Sequence, residues 1–320
     1  MEKTKITGVH SYTPDRIVTN EELSLKYGTL TAQQIFEKTG IRERRWSDDK
    51  TAVDMAVICI NELLEKTNTD RSEIDMLIIG TLTPDFFFPS TAVACIKQLG
   101  LSNAYGFDVV AACPSSLYGL DIANGKIRLG ESKKAIVCGV DRMSKTINAF
   151  EHKTGVLFGD AAAAILLEAT TEDEQGVNSC SSRVVADNLE DVYFRTPFSS
   201  DNWSEEKFNL KGGNVYKNGV ELTVRIINEF LEKNSLDISD FDYVVPHQAN
   251  INMIREVAKQ LRVPIEKFLM NIERFGNTGG ASVLLSLSHH LVDGTLNKGD
   301  RVLLLSFGAG YTLAVVDTYL

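Results

Sequence analysis

NELLEKTNTDRSEIDMLIIG (residues 61–80) can be written above NEFLEKNSLDISDFDYVVPH (residues 228–247) without a gap. Eight of the first fifteen positions are identical: Asn61/Asn228, Glu62/Glu229, Leu64/Leu231, Glu65/Glu232, Lys66/Lys233, Asp70/Asp237, Ser72/Ser239 and Asp75/Asp242. Each copy reads as the end of an amphipathic helix, a polar turn and a short apolar strand, Met76 to Ile79 in the first and Val244 to Val245 in the second. Helix–turn–strand units share patterning for physical reasons, but eight ungapped identities exceed what patterning alone supplies, so the chain is read as a duplication. Around the repeats, Ala135-Ile-Val-Cys-Gly139 and Arg301-Val-Leu-Leu-Leu-Ser306 are apolar runs suited to buried strands, with helical stretches between them. The expected fold is therefore α/β, with two duplicated halves (1–169 and 170–320) built on mostly parallel sheets. Ligands of α/β sheets gather at the carboxyl ends of the strands, which places the expected site at the junction of the halves.

Composition narrows the function. A chain of 320 residues that is 43% apolar can bury a sizeable core. No run of 18 apolar residues occurs, and the start, Met1-Glu-Lys-Thr-Lys-Ile-Thr7, lacks the continuous apolar stretch of a signal peptide, so a cytoplasmic protein with no membrane partner is expected. Five cysteines, an odd number with no CxxC pair, suggest free thiols and no metal site. A net charge of -10 disfavours nucleic acid, whose phosphates require a dominant basic face.

Three segments carry candidate chemistry. Phe107-Asp-Val-Val-Ala-Ala-Cys113 reads as a strand running into a cysteine, and the stretch from Pro114 to Asn124 as the helix that follows. Proline favours the first helical position, which puts Cys113 at the amino-terminal cap, where the helix dipole lowers a thiol pKa. His247 ends the second repeat's strand, immediately before a helical pattern from Ile251 to Leu261. Of five histidines it is the best placed; His289 and His290 fall on a helix read as exposed. Phe275-Gly-Asn277-Thr-Gly-Gly-Ala-Ser282 is a glycine-rich turn leading into an apolar helix, and by itself says only "turn". No Walker lysine or GxGxxG accompanies it. A cysteine, a histidine and an amide at three strand ends together fit acyl transfer with a stabilised enolate.

These residues resemble the ketoacyl-acyl carrier protein synthase III family. The likeness is carried by Thr39-Gly-Ile41, Thr83-Pro-Asp85, Phe88-Pro-Ser-Thr91, Ala111-Ala-Cys113, Leu157-Phe-Gly-Asp160, His247-Gln-Ala-Asn250, Gly276-Asn-Thr278 and Phe307-Gly-Ala-Gly310. The resemblance implies a thiolase fold in layers αβαβα, a homodimer, no cofactor, and a Cys113–His247–Asn277 site. It implies that Cys113 takes an acyl group from a thioester, and that a malonyl thioester on acyl carrier protein then loses carbon dioxide and attacks the acyl-cysteine. His247 and Asn277 would hold the malonyl carbonyl, and the backbone N–H groups of Cys113 and Ala309 the oxyanion. Phe88 would reach a neighbouring subunit's acyl pocket, and Pro114 would shape the pocket floor. Lys38, Lys217, Asn250, Asn252, Arg255 and Lys259 would contact the carrier or coenzyme A.

The departures are specific. Pro114-Ser115 stands where the family has Ser-Gly, and Gly159-Asp-Ala-Ala-Ala163 where it has Gly-Asp-Gly-Ala-Gly. The family's Trp, Arg and Arg that clamp coenzyme A correspond to Gln34, Lys38 and His152, so delivery of the acyl group on a carrier protein is expected. Arg42, Arg44 and Arg45 are candidate substitutes for the lost phosphate contacts. Two rival readings are an acyltransferase to an alcohol or amine without decarboxylation, against which Asn277 is intact, and a non-catalytic partner subunit of a heterodimer, against which Cys113 is intact. A thiolase proper needs a second cysteine near the carboxyl end, and none lies beyond Cys180.

Overall fold

The computed structural model describes residues 2–146, 152–171, 176–196 and 208–320. A first sheet has the order β1 (Lys3–Tyr12), β5 (Asp160–Thr170), β4 (Lys134–Arg142), β2 (Met76–Gly80), β3 (Tyr105–Val109). β2 pairs in parallel with β3 and β4, whereas β5 runs antiparallel to both β4 and β1. A second sheet repeats the plan without the outer strand: β7 (Tyr243–Pro246), β8 (Arg301–Gly308), β9 (Thr312–Tyr319), β6 (Val177–Val184), with β7 and β8 parallel and the other pairs antiparallel.

Helices complete five layers. α1 (Ala52–Thr67) and α2 (Thr91–Leu99) cover the outer face of the first sheet, and α4 (Gly212–Asn234) and α5 (Ile251–Leu261) that of the second. Between the sheets lie α3 (Ser115–Arg128) and α6 (Ser282–Val292), each packed on strands of both. The central core accordingly joins Ile78, Val137 and Ile165 of one sheet to Val245, Leu304 and Val316 of the other through Leu117, Leu120, Leu284 and Leu287. A helix packed on two sheets must be apolar on opposite sides. This explains why α6 is buried along Ser282–Ser288 and at His290, which corrects the expectation of an exposed helix carrying His289 and His290.

The repeats fold alike in detail. Asn68 and Ser235 both end their helices in the left-handed region, at φ 51° and 55°. Asp70 and Asp237 each accept from the serine two residues on and cap a one-turn helix. Asp75 and Asp242 each accept the backbone N–H at the start of the next parallel strand, from Lys133 and Arg301. The duplicated carboxylates thus fix where each helix stops and where its strand enters the sheet. No helix is long and apolar enough to cross a membrane among the described residues.

Candidate active site

The strand β3 delivers the chain to Ala111-Ala112-Cys113, and α3 begins at Ser115 with Pro114 as its cap. Cys113 therefore sits one residue before the cap rather than on it. Ala112 holds φ 53°, a left-handed conformation that a side-chain-bearing residue adopts at a cost, and this sharp turn presents the cysteine toward the junction of the halves. Gly308, at the end of β8, packs against the turn: a Cβ there would lie 2.7 Å from the Cys113 nitrogen and 2.7 Å from Pro114 Cδ. Thr312 Oγ1 donates to the Ala111 carbonyl at 2.9 Å, a second tie between the halves.

His247 follows β7, its backbone N–H donating to Leu305 O at 2.7 Å. The ring stands edge-on to Phe307, with centroids 5.7 Å apart. Its Nδ1 is buried without a partner, so the proton belongs on Nε2, since a buried orphan N–H is costlier than a buried lone pair. Burial lowers its pKa to about 3, which makes the imidazole neutral at working pH.

Asn277 lies in the turn before α6. Its backbone N–H donates to Leu157 O and its carbonyl accepts from Gly159 N–H, both at 2.9 Å, and its Oδ1 accepts the Gly279 N–H at 3.0 Å. With the oxygen engaged, the amide Nδ2 is the end left to bind a ligand. Gln248, which sequence reading passed over, fastens the histidine loop to this region. Its amide donates to Pro246 O and Leu269 O and accepts from the N–H groups of Asn271 and Ile272, while its own backbone N–H donates to Ser282 Oγ.

Cys113, His247, Asn277 and Ala309 all line one cavity of about 910 Å³, walled mainly by apolar side chains such as Leu82, Met143, Phe158, Phe208, Tyr216 and Phe307. The thiol is partly open to it. Burial first, and the Asp141 carboxylate second, push the thiol up to about 12. The expectation of a thiolate stabilised by the helix dipole is therefore corrected: burial and a buried negative charge nearby leave the thiol as the resting form.

Several expected contacts fall elsewhere. Pro114 is buried against Gly308 and does not line the cavity. Phe88 is 85% exposed and also outside it; Phe87 lines it instead. Asn250 lines the cavity, but its Oδ1 accepts from Asn252 N–H and its Nδ2 donates to Lys38 O, while Asn252 Nδ2 donates to the carbonyls of Glu37 and Lys38. Both amides thus fasten α5 to the helix Ala32–Thr39 and are not free contacts for a carrier. Lys38, Lys217, Arg255 and Lys259 are exposed, with Glu256 3.5 Å from Lys259. Gln34 completes a capping box with Thr31. Arg44 is fully buried on the carbonyls of Val18 and Val156 and on Asn20, so it cannot reach a phosphate; Arg42 pairs with Glu273, and Arg45 with Glu43. Among the described residues one cluster, His289, His290 and Asp293, has metal-ligand spacing, but it lies outside the cavity and Arg274 approaches His289.

Two family models match: 3-oxoacyl-[acyl-carrier-protein] synthase III over residues 107–188 and its C-terminal counterpart over 231–317. A curated relative, beta-ketoacyl-[acyl-carrier-protein] synthase III of Clostridium perfringens strain SM101, is 37% identical over 98% of both chains. The crystal structure of 3-oxoacyl-[acyl-carrier-protein] synthase III from Aquifex aeolicus superposes with a TM-score of 0.93 at 32% identity, covering 99% of this chain and 100% of that one. The priming beta-ketosynthase of the R1128 polyketide pathway also gives 0.93, at 30% identity over 99% and 96%. With this coverage and a shared thiolase fold, the chain belongs to the 3-oxoacyl-[acyl-carrier-protein] synthase III family.

Proposed function

We propose that this protein is an acyltransferase that joins an acyl starter to a malonyl unit on acyl carrier protein by decarboxylative Claisen condensation, in fatty-acid or polyketide-type biosynthesis. The observation that carries this reading is one apolar cavity on which a cysteine, a neutral buried imidazole and an amide with its oxygen already engaged converge. Two neutral N–H donors in a cavity walled mainly by apolar side chains suit a charge that develops only during reaction, since fixed dipoles need not reorganise as it forms.

In the first half-reaction Cys113 Sγ attacks the starter thioester. The oxyanion is held by the N–H groups of Cys113 and Ala309, and the thiol proton ends on the departing carrier thiol. In the second, the malonyl thioester carbonyl accepts from His247 Nε2 and Asn277 Nδ2. Carbon dioxide leaves, the enolate carbon attacks the acyl-cysteine, and Cys113 regains a proton from solvent. Asn277 favours this reading over acyl transfer to an alcohol or amine, and Cys113 over a non-catalytic subunit.

Each half of the chain, 1–169 and 170–320, contributes one side of the site. The working form is a cytoplasmic homodimer. The outer edge of β3, which pairs with no strand among the described residues, and the exposed Phe86, Phe87, Phe88 and Val110 support the assembly, in which Phe88 enters the partner's pocket. The carrier is met by the exposed cations Lys38, Lys217, Arg255 and Lys259. Intact-mass measurement after incubation with a panel of acyl-coenzyme A and acyl-carrier thioesters tests the reading: an adduct on Cys113 that malonyl-carrier discharges as a 3-ketoacyl product is expected. Absence of any adduct would overturn it. The loss of the coenzyme A clamp at Gln34, Lys38 and His152 leads us to expect a higher kcat/KM with the carrier-borne starter than with the same chain on coenzyme A.

A further inference from the structure

Asp141, the last residue but one of β4, is fully buried, and no ion pair is made to it among the described residues. Its Oδ1 accepts the Leu82 N–H at 2.7 Å, the Thr83 hydroxyl at 3.0 Å and the Thr81 hydroxyl at 3.2 Å; its Oδ2 accepts the Gly280 N–H at 2.7 Å. The first three donors belong to the loop that leaves β2, and the fourth to the turn that carries Asn277. Four donors converge on the group, so the ionised carboxylate alone satisfies them all; a protonated one would set a donor against a donor. Burial opposes this and raises its pKa to about 6, still below neutrality.

The turn has been shaped around this carboxylate. Gly279 has φ 58°, and a Cβ there would come within 2.3 Å of Asp141 Oδ2. The same Gly279 donates its N–H to Asn277 Oδ1. The path is short: carboxylate to Gly280 N–H, one peptide back to Gly279, and from its N–H to the oxygen whose engagement leaves Nδ2 for the ligand. On the other side Gly280 separates Asp141 from the nucleophile's helix, since a Cβ on Gly280 would lie 3.4 Å from Asp141 Oδ2 and 2.4 Å from Ser115 Oγ. The groups facing the carboxylate from every packed element are uncharged: Thr81, Leu82 and Thr83, Gly279 and Gly280, and Ser115. Cys113 is its titratable neighbour, and Arg142, next in the chain, directs its guanidinium to the carbonyls of Ser47 and Asp48.

Resting on the roles proposed above for Cys113 and Asn277, we propose that Asp141 is a positioning residue acting on the two half-reactions in opposite senses. Its ionised carboxylate fixes the Gly279–Gly280 turn, and so the Asn277 amide, for the malonyl step, while its buried negative charge beside the nucleophile's turn disfavours thiolate before an acyl thioester arrives.

Asp141→Asn separates the two effects. The amide keeps the shape, removes the charge and points two hydrogens at donors, so at least one of the Leu82 and Gly280 N–H groups loses its acceptor. The pH profile of Cys113 alkylation by iodoacetamide is expected to move acidward by about one pH unit, because removing a nearby like charge favours the thiolate. Acyl adduct formation by intact mass is expected to persist, and carbon dioxide release from malonyl-carrier to fall about 10- to 100-fold. An equal fall in all three, an alkylation profile that does not move, or carbon dioxide release within about twofold of wild type overturns the assignment. If the wild-type protein itself forms no Cys113 adduct, the functional reading fails instead, so the two failures are distinguishable. Should Asp141→Asn not fold, Thr83→Val decides. It removes one donor and keeps the carboxylate, whose pKa then rises, so the acid limb of condensation, expected in the wild type where Asp141 titrates at about 6, is expected to move to a higher pH. No movement of that limb overturns the proposal.

Discussion

The two halves end their equivalent strands on different residues, and the difference divides the labour of the site. In the ungapped repeat His247 stands where the first copy has Gly80. The missing side chain at Gly80 matters: a Cβ would lie 2.7 Å from the Ser115 carbonyl carbon, Ser115 Oγ and the Ser116 nitrogen, so glycine lets α3 start directly against β2. The first half uses its strand end to seat the helix that follows Cys113, and the second uses the same position to place the His247 ring on the cavity. One strand along, the pairing of Cys138 with Ile79 matches that of Leu305 with Pro246, and counting three residues further makes Asp141 and Gly308 equivalents. Each reaches across to the other half. Gly308 admits the Cys113 turn, and Asp141 holds the Asn277 turn. A duplicated scaffold thus supplies matched positions, and on the proposed function the asymmetry of the side chains placed there supplies the chemistry.

The largest effect that separates the halves is expected for Cys113→Ala, which should eliminate the acyl adduct, a loss on the order of 10⁴-fold or more in turnover. Normal acylation in that variant, measured by intact mass, would move the nucleophile elsewhere. His247→Ala and Asn277→Ala should each lower condensation by about 10²- to 10³-fold and leave the adduct in place, because their proposed donors act on the malonyl carbonyl. Wild-type product formation in both would remove the second half from the chemistry.

Gly308→Ala and Gly80→Ala test the close approaches. Each forces a methyl group onto backbone at 2.7 Å and is expected to destabilise the protein by about 1–3 kcal/mol in urea unfolding, with Gly308→Ala also slowing acylation. Unchanged midpoints would show that the turns shift at no cost. A smaller effect separates the helices that follow the two strands. α5 exposes Arg255 and Lys259 one turn apart, whereas α2 carries Lys97 alone. Charge reversal at Arg255 and Lys259 should raise KM for a carrier-borne thioester several-fold and leave a small thioester mimic unaffected; equal effects on both substrates would exclude docking there.

The smallest expected effect is a null one. With the His247 pKa lowered to about 3, no imidazolium stands beside the thiol above that pH, so His247→Ala should leave the Cys113 alkylation profile where it is. A rise in the thiol pKa in that variant would instead reveal an ion pair.

Much of this was legible in the chain. The identities between residues 61–75 and 228–242 announced the duplication because the capping aspartates among them act within a few residues of themselves, whereas the strand-entry aspartates Asp75 and Asp242 bind N–H groups 58 and 59 positions away. The Cys113 and His247 segments were legible for a similar reason, since each is a short loop between a strand and a helix, whereas the Asn277 turn, expected at a strand end, follows the short helix Ile272–Phe275 instead. The protonation state of the thiol was not legible, because the burial and the Asp141 charge that raise its pKa come from outside its own loop. Asn250 and Asn252 were read as surface contacts because nothing in their neighbourhood names the distant carbonyls of Glu37 and Lys38 that bind them. Arg44 looked like a phosphate ligand and is a buried strut.

The sequence alone determined the local patterns: which segments repeat, where helices cap, which loops hold polar residues among apolar ones. The tertiary structure alone decided which ionisable groups lose water and which donors face them. Desolvation and hydrogen bonding to Asp141, Cys113 and His247 come from residues far along the chain, such as Gly280, which lies 139 positions from Asp141. Charge states are set by that surrounding shell rather than by neighbours along the chain, so they emerge only when the two halves close on one another.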